Sequence, residues 1–291
     1  MTAAIDISII TVTYNRAQLL AAKRDSLLAQ TLEPIRFEWV VCINGGDDVA
    51  ESQQVLSREM PFRLELIVNA INEPITKARN QCAGRAQGHI LYLSDDDCLL
   101  AERTLQAHLD AQQRQPAVYI GGITFQGAHS QHWRPRRVDY ANLNGANTSL
   151  PRAAFEQVVG FRELSGYGGE DVLLGYELMQ QSITFHPLAD AGVTHLGDNP
   201  MRAADADKAK SAGRNAAVMG RWYPEIKTRL GVSSRLLALK YQLFCGVLAG
   251  LVKAVWCALD QPSYIYERAY FIGAWEEVHA GSPNDIPDNT P

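Results

Sequence analysis

The chain has 291 residues, 46% of them hydrophobic and 20% charged, with a formal net charge of −5. That composition buries a core and excludes a disordered chain, and the negative balance excludes nucleic acid as the main partner, a local basic patch apart. The length suits one large α/β domain or a domain with an appendage.

Ile7–Thr13 is rich in β-branched residues and predicts a first strand, followed by a helical pattern over Ala17–Ala29. Phe37–Ile43 is an apolar run broken only by Glu38 and ended by Asn44-Gly45-Gly46, after which Val49–Glu59 reads as helix. Leu64–Val68, Pro74–Ala86 and Ile90–Leu93 repeat the alternation. Strand, helix, strand, helix predicts a parallel sheet covered on both faces. The first strand-to-helix turn, Thr13-Tyr14-Asn15-Arg16, carries no GxGxxG and so excludes an ordinary dinucleotide site.

A helix over Glu102–Arg114 and a fifth strand over Ala117–Phe125 come next. Gln126–Tyr140 is polar and without apolar period. It holds His129, His132, Trp133 and three arginines, and reads as a mobile loop, an HxxH metal pair there lacking a third ligand. Short strands and helices run from Asn144 to His195, and Asp205–Trp222 reads as helix. Leu236–Leu259 is long and apolar but interrupted by Lys240, Gln242 and Lys253, too short for a full span of about 20 residues. It predicts a helix packed on the main domain, or second a helix attached to a membrane surface, with Gly246 and Gly250 spaced for a close helix contact. Gly281–Pro291 reads as a frayed tail. Cysteines at 42, 82, 98, 245 and 257 form no CxxC pair, which predicts reduced, buried thiols. With no basic, apolar signal peptide at the N-terminus, they predict the cytoplasm, or the inner face of its membrane.

The chemistry concentrates at three places. Ile90–Leu93 ends in Ser94-Asp95-Asp96-Asp97, and carboxylates at the carboxyl end of a strand in an open α/β sheet are placed to hold a divalent cation against a phosphate. The competing reading makes Asp97 the cap of a helix beginning near Cys98. Gly166-Tyr167-Gly168-Gly169-Glu170-Asp171 puts two carboxylates at a helix N-terminus behind glycines that permit close approach, which suits a general base as well as a cap. In Val193-Thr194-His195, a histidine ends a short apolar run.

In order and spacing, Ile9–Arg16, Ala78-Arg79-Asn80 with Ala86–Leu93, Asp95–Asp97 and Gly168–Asp171 resemble the family 2 glycosyltransferases of the GT-A fold, over roughly residues 5 to 200. The resemblance implies an α/β fold with a mostly parallel sheet between helices, divided as a transferase domain over 1–228 (nucleotide half 1–100, acceptor half 101–228), a helical region over 229–280 and the tail. It implies nucleotide contacts from Thr13, Tyr14, Arg16, Asn44, Arg79, Asp95 and Asp96. A metal, Mn²⁺ or Mg²⁺, would fall to Asp95, Asp97 and His195. The base would be Asp171, as in galactosyltransferase-type members, and acceptor contacts would come from Glu170, Gly168, Gly169 and Trp133, the last on a lid formed by 126–140. The implied reaction is inverting transfer of a hexosyl group from a nucleotide-diphosphate sugar, UDP favoured and dTDP or GDP possible, to a saccharide or lipid-linked saccharide in cell-surface glycan synthesis. Asn44 stands where many members have an acidic residue. Two rivals are a sugar nucleotidyltransferase, which needs a Gly-rich basic phosphate loop that Thr13–Arg16 does not provide, and a non-catalytic subunit of a polysaccharide assembly.

Overall fold

The computed structural model of the chain describes residues 4–127, 131–197, 205–258 and 263–280. The expected tail and His129 lie outside the described residues. The chain divides into two compact units, Met1–Glu163 with Asp171–Asp198, and Leu164–Glu170 with Asn199–Pro291.

The first unit carries, among the described residues, a nine-stranded mixed sheet: β1 (Ile7–Thr13), β2 (Phe37–Asn44), β3 (Arg63–Asn69), β4 (Ile90–Leu93), β5 (Cys98–Leu100), β6 (Val118–Phe125), β7 (Gln131–Trp133), β8 (Thr148–Pro151) and β9 (Phe185–His195). Its order is β3-β2-β1-β4-β8-β6-β9-β5, with β7 paired to β6. β3, β2, β1 and β4 run parallel, as the alternation predicts. Beyond β4 the expected parallel character gives way. β6 and β9 are parallel, but β4 with β8, β6 with β8, β6 with β7 and β5 with β9 are antiparallel.

Period-two alternation builds two cores. Ile7, Ile9, Phe37, Trp39, Val41, Ile90 and Tyr92 face one way, toward Leu20 and Leu27 of α1 (Ala17–Leu28), Leu56 of α2 (Val49–Leu56) and Leu105 and Leu109 of α4 (Thr104–Arg114). Ile10, Val40, Cys42, Leu91 and Leu93 face the other way. There they meet Ala78 and Cys82 of α3 (Ile75–Arg85), Phe155 of α5 (Arg152–Gln157) and Leu174 and Leu178 of α6 (Glu170–Gln180). The helices therefore cover both faces. Glu38, the one charge within β2, is fully buried. It accepts hydrogen bonds from Ser8 Oγ and the Gln87 amide, both at 2.5 Å, and pairs with Arg63.

Within the expected loop, Gln131–Trp133 form a strand: β7 pairs with β6, Trp133 opposite Ile123, and Trp133 packs on both cores. Asp139 and Asn142 then cap a short 3₁₀ turn reciprocally.

The second unit is helical: α7 (Ala206–Trp222), α8 (Ser234–Cys245), α9 (Ala249–Ala258) and α10 (Tyr264–His279). Asp205 caps α7 by accepting from the Lys208 amide at 3.0 Å. Within this unit α7 packs along α10. Gly213 and Gly273 set that approach: a Cβ on Gly213 would overlap the Tyr270 carbonyl, and one on Gly273 the Lys210 carbonyl. The glycines singled out for a close helix contact behave otherwise. Gly246 ends α8, and a Cβ on Gly250 would meet nothing within 4 Å. The expected apolar helix over 236–259 is thus two helices, bent by 78° at the break. No single helix among the described residues is long and apolar enough to cross a membrane.

Candidate active site

β1, β2 and β4 end at one edge of the sheet, and their following turns are tied together there. Asn15, with a left-handed φ of 53°, accepts from the Asp47 amide at 2.7 Å, and Asp48 accepts from the Ala17 amide at 2.6 Å. After β4 the chain turns through Ser94–Asp97 directly into β5. The helix expected near Cys98 is a strand, since the apolar Cys98-Leu99-Leu100 finds β9 as its partner, and the next helix waits until Thr104. Asp97 is therefore no helix cap.

The three carboxylates point to different partners. Asp95 takes Arg79 Nη2 at 2.9 Å, Asp96 takes Arg16 Nη1 at 3.1 Å, and Asp97 Oδ2 shares that Nη1 at 3.0 Å. Burial pushes the Asp96 carboxyl up to about 6, with Arg16 opposing and Asp97 adding to the rise. Beneath the turn lies Lys23 of α1, fully buried. Its Nζ donates to Ser94 Oγ, to the Asp95 carbonyl at 3.1 Å and to the Cys98 carbonyl at 2.7 Å. Burial lowers its pKa to about 8, against the pull of neighbouring acidic groups.

Arg79, on α3 and nearly buried, bridges two distant carboxylates. Nη2 meets Asp95, and Nη1 meets Asp171 Oδ1 at 3.0 Å. The Gly145 amide donates to Asp171 Oδ2 at 3.0 Å, and the Gly145 carbonyl accepts from the Asp95 amide at 2.9 Å. A Cβ at 145 would overlap Arg79 Nη2 and reach within 2.9 Å of Asp95 Oδ1, so any larger residue there has to displace the guanidinium. Asp171, in the first turn of α6 and only 23% exposed, is thus joined to the acidic turn by one guanidinium and one peptide.

At the other end of the turn, His195 Nε2 lies 3.4 Å from Asp97 Oδ1. Its Nδ1 is buried and has no hydrogen-bond partner among the described residues. Cys98 joins this pair: the ligand atoms of Asp97, Cys98 and His195 all lie within 4.8 Å of one another. Burial holds the Cys98 thiol well above its ordinary range. A carboxylate and the imidazole nitrogen that faces it, Nε2, are donors that fit a divalent cation. Asp95, the third expected ligand, is instead paired with Arg79.

Other expected contacts divide. Thr13 is buried beside Asp96, and Tyr14 is exposed at the same edge. Asn44 is buried and saturated: its amide donates to Asn72 Oδ1 and the Glu73 carbonyl, and its oxygen accepts from Asn69 and the Glu73 amide. An asparagine has no further capacity, so here it orders the 69–73 turn rather than facing a base. In the second unit Gly166, Gly168 and Gly169 all have left-handed φ, 75° to 96°. What approaches Gly168 is α7: Ala212 fills its Cβ space, and Asn215 donates to its carbonyl at 2.7 Å. Glu170 is buried and begins α6.

Sequence reasoning missed Lys23, Gly145 and Cys98. Lys23 had a signal, since Leu20, Lys23, Arg24 and Leu27 recur at helical spacing and all are buried, which puts a lysine on an apolar face. Cys98 and Gly145 had none without the register of β5 on β9 and the fold of the 144–147 turn.

Comparison with known proteins fits this geometry. Residues 8–164 match the family described as glycosyl transferase family 2. The chain is 28% identical to validoxylamine A glucosyltransferase of Streptomyces hygroscopicus subsp. limoneus, across 61% of this chain and 48% of that protein. It is 32% identical to an uncharacterized glycosyltransferase of Haemophilus influenzae, across 33% and 31%. The chain thus spans half or less of the length of these two relatives. Among solved structures, the mannosyltransferase PcManGT from Pyrobaculum calidifontis, in complex with GDP-Man and Mn²⁺, superposes with a TM-score of 0.67. The identity is 18%, and the match covers 97% of this chain and 89% of that one. S. aureus TarS 1-349 in complex with UDP gives 0.58, at 17% identity over 98% and 95%. The fold is GT-A, with a helical C-terminal region.

Proposed function

Because this chain belongs to glycosyl transferase family 2, we propose that it is a metal-dependent inverting hexosyltransferase acting on a nucleotide-diphosphate sugar. The observation that carries this reading is the Arg79 bridge, which ties the acidic turn to the carboxylate at the start of α6. Inversion by a single displacement needs a leaving-group site and a base within reach of one sugar, and Asp95 and Asp171 share one guanidinium.

Asp97 and His195 would hold Mn²⁺ or Mg²⁺. When bound, the cation supplies neutralisation of charge developing on the diphosphate. Asp171, kept in place by Arg79 and the Gly145 amide, would take the proton of the acceptor hydroxyl as that oxygen attacks the anomeric carbon. Thr13, Tyr14 and Arg16 lie at the nucleotide edge. Asn44 being spent on its own turn, choice among UDP, dTDP and GDP falls to other groups, with UDP favoured. The acceptor would be a saccharide or lipid-linked saccharide, as in cell-surface glycan assembly, and Glu170, Gly168, Gly169 and Trp133 are each candidates for contacting it. Leu248, Leu251 and Val255 of the α9 region are exposed at helical spacing, which supports peripheral contact with the inner face of the membrane from the cytoplasm.

The test is calorimetric titration with UDP, dTDP and GDP, each with and without Mn²⁺, on the wild type and Asp97→Ala, followed by product analysis with the sugar donor that binds. Tight binding of one nucleotide that requires both the metal and Asp97 supports the reading. Absence of binding under every condition overturns it.

A further inference from the structure

Antiparallel pairing of β5 with β9 sets Cys98 directly opposite His195, and opposed residues carry their side chains on one face of a sheet. Asp97 directs Oδ1 at both: it is 3.6 Å from Cys98 Sγ and 3.4 Å from His195 Nε2. Arg16 holds the other carboxylate oxygen at 3.0 Å, which fixes the carboxylate plane. In a tetrahedral zinc site, with Zn–S about 2.3 Å and Zn–N and Zn–O about 2.0–2.1 Å, neighbouring ligand atoms lie roughly 3.3–3.6 Å apart. The two separations at Asp97 Oδ1 fall close to those edges, and the Cys98 and His195 ligand atoms lie within 4.8 Å of each other.

We propose that Asp97, Cys98 and His195 form a three-ligand site for a thiophilic divalent cation, ordinarily Zn²⁺, leaving one position for an exogenous oxygen. The inference rests on the reading of Asp97 and His195 as metal ligands and adds the thiol to them. Oxygen and imidazole donors alone accept Mn²⁺ or Mg²⁺, whereas a thiolate moves preference to Zn²⁺. As the metal–sulfur bond forms, the thiol proton passes to solvent, and no oxidant or reductant takes part. Zn²⁺ is expected to bind at least about tenfold more tightly than Mn²⁺.

The experiment adds Co²⁺ to the full chain without nucleotide. A near-ultraviolet thiolate-to-cobalt charge-transfer band should saturate at one Co²⁺ per chain, disappear on adding one equivalent of Zn²⁺, be absent from Cys98→Ser and persist in Cys42→Ser. A wild-type cobalt spectrum without the band, or the same band in Cys98→Ser, overturns the proposal. Should Cys98→Ser fail to fold, X-ray absorption of the zinc-loaded wild type decides, by the presence or absence of one sulfur in the first coordination shell. A parallel titration of the wild type with nucleotide and Mn²⁺ separates the two readings. Nucleotide binding without the cobalt–thiolate band removes only the thiol ligand, and the band without nucleotide binding removes only glycosyl transfer.

Discussion

Replacing Lys23 by Met keeps the buried stem and deletes the ammonium beneath the acidic turn. Three acceptors lose a donor, Ser94 Oγ and the carbonyls of Asp95 and Cys98, though the Asp95 carbonyl keeps the Cys98 amide at 3.2 Å. The other two cost about 1–3 kcal/mol each when buried without a partner, roughly 4 kcal/mol together. Relief of the buried charge opposes this. A fall from 10.5 to about 8 corresponds to roughly 3 kcal/mol at pH 7. The net expectation is a loss of about 1 kcal/mol at pH 7, with a weaker grip on nucleotide because the turn carrying Asp95–Asp97 loosens. The pH dependence has a definite sign. A base whose pKa is lower in the folded state binds fewer protons there, so its contribution is present above the unfolded value of 10.5 and lost as pH falls through about 8. Between pH 7 and pH 9.5 the wild type should therefore gain about 2 kcal/mol on Lys23→Met. Urea unfolding of both proteins at the two pH values, with nucleotide titration in Mn²⁺, measures each part. Equal midpoints at both pH values, with nucleotide affinity within about threefold of wild type, would refute the account of Lys23 as the support of the turn.

Asp171→Asn should lower transfer at least about 10²-fold with donor binding nearly intact, measured as kcat against nucleotide Kd; equal loss of both would contradict its role as base. Gly145→Ala should displace Arg79 from Asp95 and cost at least about tenfold in donor affinity by calorimetry, and an unchanged affinity would mean the bridge is dispensable. His108, fully buried between Ser149 and Asn147, is held down to about 4 by desolvation, so the stability it contributes is complete above pH 6.5 and lost as pH falls toward 4. His108→Gln should flatten that acid limb by about 3 kcal/mol in unfolding curves. Asp96 carries the opposite sign: raised to about 6, it contributes stability below 3.8 that fades as pH rises through 6, and Asp96→Asn should remove this slope in the metal-free protein.

What could be read beforehand follows from how local each determinant is. β1, β2 and β4 write their period-two pattern into seven, eight and four residues with both faces buried, and the acidic turn follows β4 without interruption. β5 is three residues long, and its strand character comes from β9, which no local window contains. The antiparallel half of the sheet was hidden for the same reason. Spacing alone favoured Gly246 and Gly250, yet the contact belongs to Gly213 and Gly273, because close helix approach depends on which face meets a neighbour. Asn44 looked available for a base only because its partners at 69, 72 and 73 arrive from another strand and its turn. Arg79 was legible as a functional residue, but not as the link between Asp95 and Asp171.

The pairing of β5 with β9 also sets an order in time. β4 and its acidic turn leave the ribosome early, and β1, β2 and β3 can already align beside them as parallel partners. Residue 98 must then wait for residue 195 before its strand has any neighbour. Until then the imidazole is missing from the acidic turn, so a nascent or truncated chain ending before β9 carries the aspartates without the enclosure that β9 provides. If the cation binds as proposed, its capture would report that the sheet has closed and would be available only to chains that have folded through to His195.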